Sequence, residues 1–186
     1  MNVRIIEIMT LTTTVAIIFA LSSEVLAEES GEIPGPQITF HEDSDGVRGI
    51  KLRMFLKTDP ERLWNLVTDS KRAPTLFKNV ASITPSSKGP RFQDYHISSI
   101  IGEKIVTCRV TQNDARRHLS WKRVEGSLES LYGYFKIGRD DRYPDHVRFD
   151  YGSFVDPGGI GRALMTNRRR RSAVQFMITK IRSIVG

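Results

Sequence analysis

The apolar positions of the last stretch of the chain recur with a helical period. Residues 162–185 contain neither proline nor glycine. Placed at 100° steps, Ile160, Leu164, Val174, Ile178, Ile181 and Val185 share one face, with Ala163, Met177 and Ile184 beside them. The pattern predicts one long helix that opens after the turn Asp156-Pro157-Gly158-Gly159. At ~1.5 Å per residue it would run about 36 Å, long enough to cross a whole sheet.

Further upstream the period changes to two. Residues 47–57 set Val47, Gly49, Lys51 and Arg53 against Ile50, Leu52, Met54 and Leu56, which reads as a strand. Thr58-Asp59-Pro60-Glu61 is a helix start, with a capping side chain, a first-turn proline and an early acid. Leu63, Trp64, Leu66 and Val67 give that short helix an apolar face, and 70–78, with Ala73, Leu76 and Phe77, reads as a second one. Strand-like runs then follow at 80–84, 91–101, 104–111, 118–124, 130–137 and 146–155, each closed by a turn signal. Together with the first this makes about seven strands. Short connections predict antiparallel hairpins. The expected fold is α+β, a curved antiparallel sheet wrapped around the long C-terminal helix, with two short helices after the first strand.

The amino terminus is of another kind. Residues 1–27 read as an export signal: Arg4, an uncharged apolar run from 8 to 21, and Val25-Leu26-Ala27 before the acidic pair Glu28-Glu29. The run is shorter than the ~20 residues of a spanning helix. Glu7 keeps an uncleaved amino-terminal membrane anchor facing the periplasm as the alternative. The expected location is a bacterial periplasm. Residues 28–46, rich in Pro, Gly and acid, read as a flexible acidic linker in which Ile38 and Phe40 could form a short edge strand. The folded domain is expected over 47–186.

Composition adds little to the fold and more to the surface. Hydrophobic content of 39% and charged content of 26% suit a globular domain. The net charge of +7 is uneven: the acid is concentrated in 28–46, and the last helix carries Arg162, Arg168, Arg169, Arg170, Arg171, Lys180 and Arg182 with no acid. On the helical wheel Arg169 points outward, Arg168 lies at an edge, and Arg170 and Arg171 fall near the apolar stripe. They either snorkel over the core or place one guanidinium, taken as Arg171, at a pocket mouth. Met165 and Phe176 fall away from the stripe among these cations, so Met165, Arg168, Arg169 and Phe176 are candidates for peripheral contact with an anionic membrane or a partner. Export argues against nucleic acid as the partner. The single cysteine, Cys108, is expected as a buried apolar side chain. His96, His118 and His146 lack metal-ligand spacing, and no phosphate-loop, dinucleotide or nucleophile-elbow motif occurs, so no metal or cofactor is expected.

Three stretches carry a family likeness. They are the first strand running into Thr58-Asp59-Pro60-Glu61-Arg62-Leu63-Trp64; Leu119-Ser120-Trp121-Lys122-Arg123-Val124-Glu125-Gly126 continuing through Leu131-Tyr132-Gly133-Tyr134-Phe135; and Val155-Asp156-Pro157-Gly158-Gly159 leading into the last helix. Their order over residues 47–185 resembles the START-type helix-grip superfamily, the polyketide cyclase/dehydrase and lipid transport group, and is most similar to its coenzyme Q-binding branch. The resemblance implies a cavity between sheet and helix and a hydrophobic ligand: a lipid, isoprenoid or quinone. Strand alternation nominates Tyr95, Ile97, Val106, Trp121, Leu131, Phe135, Phe149 and Tyr151 for its wall, with Trp64 and Phe77 at one end and Leu164 and Val174 on the helix. The same residues equally suit a filled core. The leading expectation is an exported, non-enzymatic binding or transport protein. One alternative is a small cyclase or dehydratase on an aromatic or polyketide-like substrate, drawing on His96, Tyr132, Arg148, Asp150 or Tyr151. Another is an adaptor acting through its basic C-terminal helix.

Overall fold

The structure, a computed structural model, describes residues 32–99 and 102–186. The expected signal peptide, 1–27, and the first part of the expected linker lie outside the described residues. Among the described residues no helix is long and apolar enough to cross a membrane.

Strands β1 (Gln37–Glu42) and β2 (Arg48–Leu56) lead into helix α1 (Pro60–Thr68) and a 3-10 turn (Ala73–Leu76). Strands β3 (Val80–Pro85), β4 (Phe92–Ser99), β5 (Gly102–Asn113), β6 (His118–Gly126), β7 (Ser130–Arg139) and β8 (Val147–Asp156) follow, then helices α2 (Gly159–Leu164) and α3 (Asn167–Val185). All eight strands form one sheet in the order β1-β2-β8-β7-β6-β5-β4-β3, and every pairing is antiparallel. The pairing of β2 with β8, Leu52 opposite Tyr151 and Met54 opposite Phe149, joins the two ends of the strand sequence. β1 and β3 are the free edges, so the curved sheet stays unclosed.

Local chemistry explains the elements. Asp59 caps α1 by accepting from the Arg62 amide at 3.1 Å, and Pro60 opens the helix. Leu63, Trp64, Leu66 and Val67 are its buried face. On α3 the buried residues Val174, Met177, Ile178, Ile181 and Val185 keep the helical spacing and join one core cluster with Leu52, Met54, Phe135, Phe149 and Tyr151 of the sheet. Phe149, Met54 and Ile181 have no exposed surface at all.

Three expectations need correction. The sheet has eight strands because the short edge strand that Ile38 and Phe40 allowed does form, as β1 (residues 37–42), inside the stretch expected as a flexible linker. Ile38 lies opposite Leu52 and Phe40 opposite Ile50, and both pack half-buried on the core. The acidic cluster that suggested a linker is the β1–β2 turn. There the Asp43 carboxylate accepts from the Asp45 and Val47 amides, and Gly46 takes φ +75°. The second short helix shrinks to the 3-10 turn around Pro74. The single long C-terminal helix is two helices. Met165 leaves helical geometry (φ −84°, ψ 69°), and Thr166 starts α3 by accepting from the Arg169 amide. The break takes Ile160 out of the apolar stripe and leaves it 80% exposed.

Candidate ligand-binding site

On the concave face, α1 and the 3-10 turn stand over strands β3, β4, β6 and β7 and leave a partly open pit of about 30 Å³. That is room for about one water molecule. Val67, Phe77, Ile83, Tyr95, Leu119, Trp121 and Phe135 supply its apolar wall, and Thr68, Ser70 and Gln93 its polar one. Outside it, between the 3-10 turn and β3, runs a shallow open groove of about 420 Å³ lined by Lys71, Pro74, Thr75, Val80 and Ser82. Pit and groove share Ser70 and Ile83, so the two adjoin.

Strand register sets the wall. Ile83 lies opposite Tyr95, and Leu119 opposite Phe135. Trp121 lies opposite Gly133, where a Cβ would come within 2.4 Å of the indole. The absence of a side chain there is what lets Trp121 lie against the sheet. Its ring centroid is 5.2 Å from that of Phe135. Phe77, just past the 3-10 turn, wedges in from above at 6.0 Å from Phe135 and 6.3 Å from Tyr151. Phe77 is only half-buried, whereas Phe135 is 2% exposed. The wedge therefore belongs to a connection and the floor to the sheet.

The polar lining is sparse and partly self-satisfied. The Thr68 hydroxyl donates to the Trp64 carbonyl at 2.9 Å, and the Tyr95 hydroxyl reaches Gln93 Oε1 at 3.4 Å. Burial pushes the Tyr95 pKa well up. The Trp64 indole donates to Asp114 at 3.0 Å, and Arg117 pairs with Glu61; together they tie α1 to the β5–β6 turn. Among the described residues no His, Cys, Asp and Glu cluster could hold a metal ion.

No protein-family model matches the chain, and no curated protein matches it. Solved structures do. A START superfamily protein from Mycobacterium smegmatis aligns with a TM-score of 0.54 at 12% identity, covering 74% of this chain and 96% of that one. The chain has the START-type helix-grip fold. A protein from Thermus thermophilus matches with a TM-score of 0.57 at 11% identity over 73% of this chain and 94% of that one. The di-domain ARO/CYC BexL of the BE-7585A biosynthetic pathway matches with 0.53 at 13% over 72% and 46%. At these identities the likeness is one of fold, and it does not single out the coenzyme Q-binding branch.

Within this helix-grip fold, Phe77, Tyr95, Trp121 and Phe135 of the nominated residues meet at the pit. Trp64, Val106, Leu131, Phe149, Tyr151 and Val174 lie in the packed core and do not border it. Ile97 is half-buried at the core margin. Leu164 is half-buried on α2, beyond the helix break. Arg171 is exposed, its guanidinium 5.4 Å from the ring centroid of Phe40 on β1, the edge of the sheet opposite β3 and the pit. The buried arginine is its neighbour Arg170, 8% exposed, which donates to the Met165 carbonyl at 2.6 Å. Burial lowers the Arg170 pKa, and the nearby Arg48 adds to the effect. Arg168 and Arg169 are exposed, while Met165 and Phe176 are half-buried.

The acid–base candidates do not converge. His96 alternates with the inward Tyr95 and Ile97, and sits 3.4 Å from the Thr84 hydroxyl. Tyr132 donates to Asp43 and stacks on Phe154 at 4.8 Å. Arg148 and Asp150 belong to an ion-pair network with Arg53 and Asp140. Tyr151 alone of the five faces inward, and burial raises its pKa to about 12. Sequence reasoning missed Val67, Thr68, Ser70, Ala73, Ile83, Gln93 and Leu119. Parity with Tyr95 and Trp121 was signal enough for Gln93 and Leu119. Nothing local marks Thr68 or Ser70, which enter only because α1 ends above the sheet.

Proposed function

We propose that the protein binds a hydrophobic small molecule through the pit and its groove, and carries it without converting it. The observation that supports this most is the pit itself: the rings of Phe77, Tyr95, Trp121 and Phe135 surround an opening on the concave face, and the connection after the 3-10 turn supplies one of them. Such a site favours an apolar or aromatic group with one or two polar atoms, which Gln93 or Ser70 would meet. A lipid, isoprenoid or quinone fits that description. The pit as it stands is too small for any of them, so the ligand enters by displacing Phe77 toward the groove. Burying ~400 Å² of apolar ligand gives on the order of 10 kcal/mol gross at ~25 cal/mol per Å², which leaves ample margin for that displacement. The cyclase alternative needs a group that titrates near neutral pH in the pit. Tyr95 is the titratable side chain in the lining, and burial moves its pKa further from neutral. We read the leader-like residues 1–27 as an export signal, which would carry the protein to the periplasm.

The test is native mass spectrometry with organic extraction of the protein purified from its own host's envelope. Near-stoichiometric lipid, isoprenoid or quinone is the expected result. A protein that is empty, and stays empty after incubation with envelope lipids, overturns the carrier reading.

A further inference from the structure

The α2–α3 corner has a feature that the helix-grip interior does not use. Ile160 is the most exposed large apolar side chain among the described residues, at 80%. It stands on α2, whose one buried residue is Gly161 and which leaves Ala163 exposed too. Around it the charge is one-sided. From Pro157 to Gly186 there is no acidic residue. Asp156 and Glu129 are both engaged by Arg162 of α2, and Glu42 at the β1–β2 turn by Arg48. Arg168, Arg169 and Arg171 are exposed and have no carboxylate partner among the described residues.

The corner is also held in shape. Arg169 donates to the Leu164 carbonyl at 3.0 Å and Arg170 to the Met165 carbonyl at 2.6 Å, so two arginines of α3 brace the connection that carries Ile160 outward. Arg169 donates to the Leu164 carbonyl and Arg171 lies over the Phe40 ring, but neither has a carboxylate partner, and a braced isoleucine tip on so basic a segment has the form of an interfacial anchor. A protein interface needs roughly 800 Å² per partner around a central anchor cluster, and one isoleucine does not make one. A lipid surface needs only the inserted side chain and the phosphates that guanidinium groups bind well.

We propose that the α2–α3 corner docks on an anionic lipid bilayer, with Ile160 entering the interface and Arg168, Arg169 and Arg171 contacting headgroup phosphates. The docking residues differ from those the helical wheel suggested. Phe176 lies about 12 Å further along α3 than Arg168 at ~1.5 Å per residue, half-buried, with the Lys180 ammonium 5.6 Å from its ring centroid. The proposal stands apart from the ligand in the pit, and a protein that proves empty can still dock.

Each arginine near an anionic surface raises the partition coefficient about fivefold, the equivalent of ~1 kcal/mol. Full-length protein is sedimented with vesicles of phosphatidylcholine and of a phosphatidylcholine–phosphatidylglycerol mixture. The expected result is a preference for the mixture that falls with salt, and that drops about twenty-five-fold in the R168S/R171S variant, which keeps the Arg169 brace. Because the apolar run in residues 1–27 can itself bind vesicles, a second readout is local to the corner. In I160W the new indole is expected to shift to the blue and to be quenched by brominated acyl chains. The parent's Trp64 and Trp121, 4% and 6% exposed, set the background. Unchanged preference for phosphatidylglycerol in the arginine variant, or an I160W indole quenched no more than the parent's, overturns the proposal.

Discussion

Replacing Phe77 by alanine tests the pit directly, because the carrier reading makes Phe77 its plug. The side chain is half-buried, and its ring contacts with Phe135 and Tyr151, at 6.0 and 6.3 Å, are at the long end of the aromatic pair range. A fully buried Phe→Ala change costs about 3–5 kcal/mol, so roughly half, about 2 kcal/mol, is expected here. In a chain of this size that lowers Tm by roughly 4–8 °C. The six ring carbons removed free on the order of 100 Å³ at protein packing density, several times the present pit of about 30 Å³. An apolar cavity of ~150 Å³ can take up a single aromatic ring. The parent must displace Phe77 before anything binds, and the variant need not. Removing a penalty of about 2 kcal/mol tightens the apparent affinity by up to roughly thirtyfold. A naphthalene-type fluorescent probe, read by energy transfer from Trp121 at the pit wall, measures this, while differential scanning fluorimetry reports the Tm. F77A should therefore be the less stable protein and the better binder. Lost stability with unchanged or weaker probe binding would refute the plug and the displacement route with it.

Three further outcomes follow from the same geometry. Gly133→Ala should cost about 1–3 kcal/mol by overpacking, since its Cβ would sit 2.4 Å from both the Trp121 ring and the Gly152 carbonyl; an unchanged urea midpoint would mean that Trp121 has room to retreat. Cys108 has no exposed surface, and burial lifts its thiol to about 12, so Ellman's reagent should react with it only as fast as the domain unfolds. The Asp140 carboxylate accepts from Arg142 and is held down to about 2, first by that hydrogen bond. Its folded pKa lies below the unfolded value of ~3.9, so its contribution is present above ~pH 4 and fades as pH falls through 2. The Tm gap between the parent and Asp140→Asn should therefore close over that range, and a constant gap would show that Asp140 is not responsible.

Much of the fold was legible because it rests on local rules. Asp59-Pro60 marks a helix start wherever it occurs, and the alternation of Tyr95 and Ile97, or Leu119 and Trp121, assigns faces without knowledge of the partner strand. The aromatic floor of the pit followed from that alternation. Where reading failed, two local signals competed. The acid and glycine of 42–46 suggested a linker, yet they form the turn that lets Ile38 and Phe40 pair with β2. The apolar stripe seemed continuous from Ile160, yet Thr166 caps a new helix and turns Ile160 to the surface.

The amino-acid sequence by itself determined the α+β class, the helix-grip order of elements, the inward face of most strands and the basic character of the last helix, because these depend on periodicity, capping and charge along the chain. Tertiary structure alone decided which inward residues meet a gap and which fill the core. Phe149 and Phe135 have the same local pattern, but β7 faces the ragged 3-10 connection and borders the pit, while Phe149 on β8 is sealed with no exposed surface. Packing is a property of the elements facing one another across the sheet, and no window of sequence contains both sides of that contact.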